Sequence, residues 1–189
     1  MKHTAHSHRS SQLPAFAAEA GAVAATSAAP GQEASTLPRW DLSALYNSME
    51  DPAIKQDLAQ AEQQAKEFAS RYQGKLAGLS GAEVAEAIRT CEAIEEILGK
   101  AGSYASLLFA ANSSDPEISR FSQSISEKLT DISTHLLFFT LELNRLDDAD
   151  LAQKMLDPAL AHWKPFLDDT RLFRPHQLSD EVEKVLLEK

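Results

Sequence analysis

The stretch that most limits the fold lies between Asp115 and Leu143. Ile118, Phe121, Ile125, Leu129, Ile132, Leu136, Phe139 and Leu143 follow one another at steps of three or four, and neither glycine nor proline interrupts them. That period places these side chains on one side of an α-helix, close to a heptad seam over roughly eight turns. Asp115 is suited to cap such a helix and Pro116 to begin it. A helix of this length needs neighbours to cover its apolar side. The expected fold class is therefore all-α: an antiparallel helical array or bundle with one very long central helix. Within the seam, LLFFTLEL adds Leu137, Phe138 and Leu141 to one side. This wider face offers a surface for another domain, with contact inside the same domain or with a second subunit as the alternatives.

The remaining helices follow from caps and stops. Asp51 and Pro52 open a helix that carries Ile54, Leu58, Ala61, Ala65, Phe68 and Tyr72 on one face, with Gly74 as its stop. In LSGAEV, Ser80 and Glu83 have the spacing of a capping box, and Leu79 and Val84 that of a hydrophobic staple. Val84, Ile88, Cys91, Ile94 and Leu98 extend that helix, and Tyr104, Leu107, Leu108 and Ala111 resume the pattern beyond Gly99 and Gly102. The sequence allows one bent helix or two. A short helix through Leu151 and Met155 follows, then a segmented stretch around Trp163 and Pro165, a break at Arg174-Pro175-His176, and a last helix capped by Ser179. Past its apolar residues Val182, Val185 and Leu186, no glycine, asparagine or proline closes it, which leaves two readings, a terminal helix that frays or a chain that continues beyond Lys189. Upstream, residues 1–36 are rich in Ala, Ser, Thr, Gly and Pro and poor in large apolar groups. They are expected to form a disordered extension, with the folded domain beginning at LPRWDLSALYNSMEDP.

Charge and composition exclude several functions. The 28 acidic residues against 18 basic ones give a net charge of −10, with no basic run or basic-aromatic interleaving, so no nucleic-acid partner is expected. The most apolar run, HLLFF, is far too short to span a membrane. Glu19 and the prolines interrupt any apolar core near the amino terminus, so the expected location is cytoplasmic. Cys91 is the single cysteine; it suits a reducing compartment and reads as a buried thiol.

The search for chemistry yields no catalytic, cofactor-binding or metal-binding residue. His3, His6 and His8 lie in the expected tail, which cannot preorganise a site. Asp131 and His135 are one turn apart and read as a structural pair, and the Glu-x-x-His pattern of bundle metal sites is absent. Helix-end packing accounts for His162 and His176. Glu95-Glu96, Asp147-Asp148 and Asp168-Asp169 are adjacent acids that point differently on a helix and read as solvated or capping groups. The serine-rich stretches lack a base and an orienter, and GKAGS lacks the phosphate-loop pattern. Trp40, Tyr46, Tyr104, Trp163 and Phe173 read as core aromatics, with a lined groove as the alternative. Arg171, Arg174 and His176 in TRLFRPHQLSDE are suited to brace a junction against acidic helices.

Four stretches together carry a family resemblance: WDLSALY (residues 40–46), GSYA (102–105), HLLFFTLELN (135–144) and RPHQLSDEVEK (174–184). In order and spacing they resemble the amino-terminal region of the oligoendopeptidase F group of M3, thimet-oligopeptidase-like zinc metallopeptidases, from about Leu37 onward. The resemblance implies a noncatalytic helical domain over 37–178 and the start of a connecting helix over 179–189. It further implies a missing carboxyl-terminal catalytic domain that supplies Zn2+ through His-Glu-x-x-His and a downstream glutamate, and short peptides as substrates of the complete hydrolase. No His-Glu-x-x-His occurs in this chain, so none of those catalytic residues is assigned here. On this reading the chain is an inactive fragment forming one wall of a substrate channel. The alternatives are an independent helical interaction module without enzymatic activity and a metal-binding bundle centred on His135.

Overall fold

A computed structural model describes residues 40–189. The expectations for the first 36 residues, including the histidine tail, lie outside the described residues. Helix α1, Pro52–Tyr72, starts where Asp51 accepts a hydrogen bond from the Ala53 amide at 2.9 Å. It buries the residues its spacing predicts, Ile54, Leu58, Ala61, Ala65, Phe68 and Tyr72. Gly74 then reverses the chain at φ +75, a backbone region that disfavours any residue with a Cβ. A 3-10 turn at Leu76–Gly78 leads into α2, Gly81–Ala111. The capping box is formed: the Ser80 amide donates to Glu83 at 2.8 Å and the Glu83 amide donates to the Ser80 hydroxyl at 3.3 Å.

Two glycines settle how α2 is built and what it touches. The helix runs unbroken through Gly99 and Gly102, so it is one element of 31 residues and the longest described. Gly102 lets α3 approach closely, since a Cβ there would stand 3.0 Å from the Leu129 side chain. Gly81 admits the backbone of a later turn: an added Cβ would fall 2.3 Å from the Lys154 carbonyl oxygen and 2.6 Å from Asp157 Cβ. Helix α3 spans Pro116–Ser133, capped by Asp115, and packs on α2 and α1. Between α1 and α2, the Tyr46 hydroxyl and Lys100 Nζ both donate to Asp57 Oδ2, at 2.8 and 2.9 Å. The Lys100 ammonium holds the Asp57 carboxyl below its usual range, with the Tyr46 hydrogen bond acting in the same direction.

The expected very long helix is two helices. After Ser133 the chain makes a tight turn, and α4 begins anew at Leu137 and ends at Arg145. The amides of His135 and Leu136 bond three residues back, to Ile132 and Ser133, and the Thr134 hydroxyl takes the Asp131 carbonyl at 2.7 Å. Local competition for backbone groups by a β-branched hydroxyl residue breaks the ladder without disturbing the apolar spacing. No single helix dominates the array.

The turn redirects the wider apolar face as well. Phe138 and Leu141 are buried within this chain, Leu137 partly so, and the Phe138 ring lies 5.6 Å from that of Phe68 on α1. Of this face, Phe138 thus finds its partner inside the same chain, on α1. Beyond it come α5 (Asp148–Lys154), α6 (Pro158–Ala161), α7 (Lys164–Leu172), a second 3-10 turn at Arg174–His176 and α8 (Asp180–Leu187). Asp147 and Asp157 cap α5 and α6 through their side chains. Every element among the described residues is helical.

Candidate interface at the carboxyl-terminal junction

Helix α4 ends inside the molecule, and its last carbonyls need donors that the helix itself does not supply. Later residues provide them. Arg171, at the end of α7, donates from one guanidinium nitrogen to the Leu143 carbonyl at 2.8 Å and from another to the Leu146 carbonyl at 2.9 Å. The amide of Gln177 reaches the Leu141 carbonyl at 3.3 Å. Side chains more than twenty residues downstream therefore cap α4. A planar guanidinium suits this task, because its donors form a fixed fork and its charge favours a helix carboxyl end.

The same fork is anchored on Asp148. Arg171 pairs with Asp148 Oδ1, and Arg174 donates to that oxygen at 2.8 Å. The Arg171 side chain is only 13% exposed, so its hydrogen bonds sit where water competes weakly. The Arg171 guanidinium, with Arg174 beside it, holds the Asp148 carboxyl below the usual carboxylate range. One turn back on α4, Arg145 forms a two-pronged ion pair with Asp180 at the start of α8 and lowers the Asp180 carboxyl in the same way. On the same side of α4, one turn before Arg145, Glu142 accepts from the Gly74 amide at 2.6 Å. Lys154 donates to the carbonyls of Ala77 at 2.9 Å and Leu79 at 2.5 Å. The junction is therefore stitched to the turn between α1 and α2.

Of the residues singled out in the sequence, Arg171 and Arg174 do brace a junction, while His176 is exposed and outside the brace. Asp147 and Asp148 divide their roles between capping α5 and pairing with arginines. The expected Asp131 and His135 pair does not form: α3 stops between them, and no hydrogen bond or ion pair joins them among the described residues. His162 packs edge-on against Trp163, with ring centroids 5.4 Å apart. The aromatics do not share a groove. Tyr46 and Tyr104 are buried edge to face at 5.3 Å, Trp163 is partly buried against the core, and Trp40 and Phe173 are exposed. Burial, reinforced by Glu95, pushes the Cys91 thiol up to about 12, which leaves it unreactive.

Sequence reasoning missed Asn144, Asp180, Gln177 and Arg145. Asn144 is 4% exposed, and neither its Oδ1 nor Gln177 Oε1 has a hydrogen-bond partner among the described residues. The signals for them were positional: Gln177 and Asp180 fall within the quoted RPHQLSDEVEK run and Asn144 ends the quoted HLLFFTLELN run. Among the described residues, no group of three or more His, Cys, Asp or Glu side chains gathers as metal ligands would. Nor is any described helix long and apolar enough to cross a membrane.

The polar junction coincides with the part of the chain that comparison recognises. No curated protein and no solved structure matches the chain. Residues 142–189, from Glu142 on α4 to the end of α8, match the family model described as Oligopeptidase F (Peptidase_M3_N), which links this part of the chain to M3-type peptidases.

Proposed function

We propose that this chain is the noncatalytic amino-terminal part of an M3-type zinc oligoendopeptidase. Residues 37–178 form its helical domain, and residues 179–189 begin a connection toward a carboxyl-terminal catalytic domain. The family match over residues 142–189 is the observation that carries this reading. The proposed role is architectural. Packed against the catalytic domain, the helical array forms one wall of a channel that admits short peptides and excludes folded or long chains. Val182, Val185 and Leu186 on α8 support it: they are 44–56% exposed and form an apolar row that this chain leaves largely uncovered.

The residues described here do not fit a zinc centre, because no metal-capable side chains converge. The metal belongs, on this reading, to the catalytic domain, where it supplies a polarised water for peptide hydrolysis. Residues 1–189 alone are accordingly inactive. The test joins sequence and assay. The coding sequence beyond Lys189 is expected to contain His-Glu-x-x-His, and the longer product to cleave short peptides in a chelator-sensitive way that purified residues 1–189 do not. Chelator-sensitive cleavage by residues 1–189 would overturn the proposal, as would a stop codon after Lys189 in a stably folded product.

A further inference from the structure

The segment from Arg174 to Leu187 is attached to the rest of the molecule mainly by polar contacts. Neither its 3-10 turn nor α8 contains a buried residue. Its side-chain hydrogen bonds and ion pairs to the rest of the fold are Arg174 to Asp148, Gln177 to the Leu141 carbonyl, and Asp180 to Arg145. The two ion pairs are open to solvent, since the Arg145 and Asp180 side chains are 48% and 54% exposed and Asp148 is more exposed still. Such pairs hold weakly and are screened by salt.

Two open recesses adjoin this segment. A recess of about 340 Å³ lies between Asn144 and Arg145 on one side and Arg174, Gln177 and Leu178 on the other. A second, of about 450 Å³, lies on the other side of Arg145, between Glu142, the Gly74 turn and Asp180. Between α4 and the segment, Asn144 Oδ1 and Gln177 Oε1 are shut off from solvent without hydrogen-bond partners. A buried acceptor left unpaired loses its hydration with nothing in return. Closing the segment over α4 therefore carries a standing penalty that opening removes.

We propose that Arg174–Leu187 is a strap that opens from α4 as a unit while α1 to α7 stay folded. The two exposed ion pairs and the Gln177 contact hold it shut, and the two desolvated amide oxygens favour its release. Opening hydrates Asn144 and Gln177 and uncovers the end of α4, while the apolar row of α8, already exposed in the closed form, moves with the strap. Arg171 stays behind and keeps α4 capped, because its bonds run to Leu143, Leu146 and Asp148, all outside the strap. The inference rests on this chain's own contacts and holds whether or not a catalytic domain follows.

The test is amide hydrogen exchange on the 189-residue chain, read separately for residues 180–187 and for α2 as an internal standard. In low salt, the α8 amides are expected to show protection well above that of unstructured chain and well below that of α2. Raising the ionic strength, or substituting Arg145→Gln, lowers α8 protection roughly two- to fivefold and leaves α2 unchanged. Asn144→Leu removes one unpaired acceptor at similar volume and raises α8 protection about fivefold or more. The strap is overturned if α8 exchanges together with α2, or as unstructured chain. It is equally overturned if α8 ignores salt and Arg145→Gln, or if Asn144→Leu lowers its protection.

Discussion

The two ends of this molecule are held by different forces. From α1 to α3, packed side chains do the work: Phe68 is fully buried against Tyr72, Phe138 and Phe139, with ring centroids 4.9 to 5.6 Å apart, and α2 contributes an almost continuous buried face. From Arg145 onward, few residues are buried, and charged side chains reaching backbone carbonyls and one another hold the helices. Burial of apolar surface is insensitive to salt and cooperative across a core, whereas exposed ion pairs are weak, screened and local. The contrast predicts that the first region unfolds as a block and that parts of the second separate from it.

Phe68→Ala attacks the apolar region at its centre. It is expected to destabilise the fold by about 3–5 kcal/mol, measured by urea or thermal unfolding, because three rings lose a shared neighbour and α1 does not collapse into the space. A cost below about 1 kcal/mol would show that the aromatic cluster is not the core's keystone.

Arg171→Met tests a largely buried polar contact of the second region. Removing the guanidinium leaves the Leu143 and Leu146 carbonyls without their side-chain donor and Asp148 with Arg174 alone. The expected loss is about 1–3 kcal/mol, accompanied by faster exchange at the end of α4. Equal loss of protection in α1 and α2 would erase the distinction between the regions.

The smallest effect belongs to an ion pair on the apolar region. Lys128 on α3 and Lys66 on α1 both contact Glu62 and hold its carboxyl down at about 2, against an ordinary value of 4.5. A carboxyl depressed in the folded state contributes stability above its unfolded value and loses it as pH falls through the folded one. Stability should therefore decline between about pH 4.5 and 2. Glu62→Gln should flatten a small part of that decline in urea unfolding midpoints. An unchanged profile would show that the pair contributes nothing measurable, as exposed pairs often do not.

Much of the first region was legible because its signals are local. Asp51 with Pro52, Ser80 with Glu83, and Asp115 with Pro116 cap helices within a few residues of themselves, and the three-and-four spacing names the buried face. The break between Ser133 and Leu137 escaped because apolar periodicity continues across it while Thr134 and the backbone do not. Which of the alternative partners Leu137, Phe138 and Leu141 would meet was not readable, because Phe68, which packs on Phe138, lies some seventy residues earlier. Of the junction, the sequence offered Arg171 and Arg174 as braces. It did not name the carbonyls and the aspartate they reach, since a long basic side chain does not declare its partner.

What the sequence determined by itself is the set of helices with local caps, the all-α class, and a resemblance whose matched portion begins at Glu142. Tertiary structure decided where the long apolar seam breaks and which apolar face is already covered. It also decided that Asn144 and Gln177 are closed over without partners. The physical reason is range: caps and periodicity act over one or two turns, whereas burial and the capping of α4 by Arg171 depend on segments that meet only when the chain has folded.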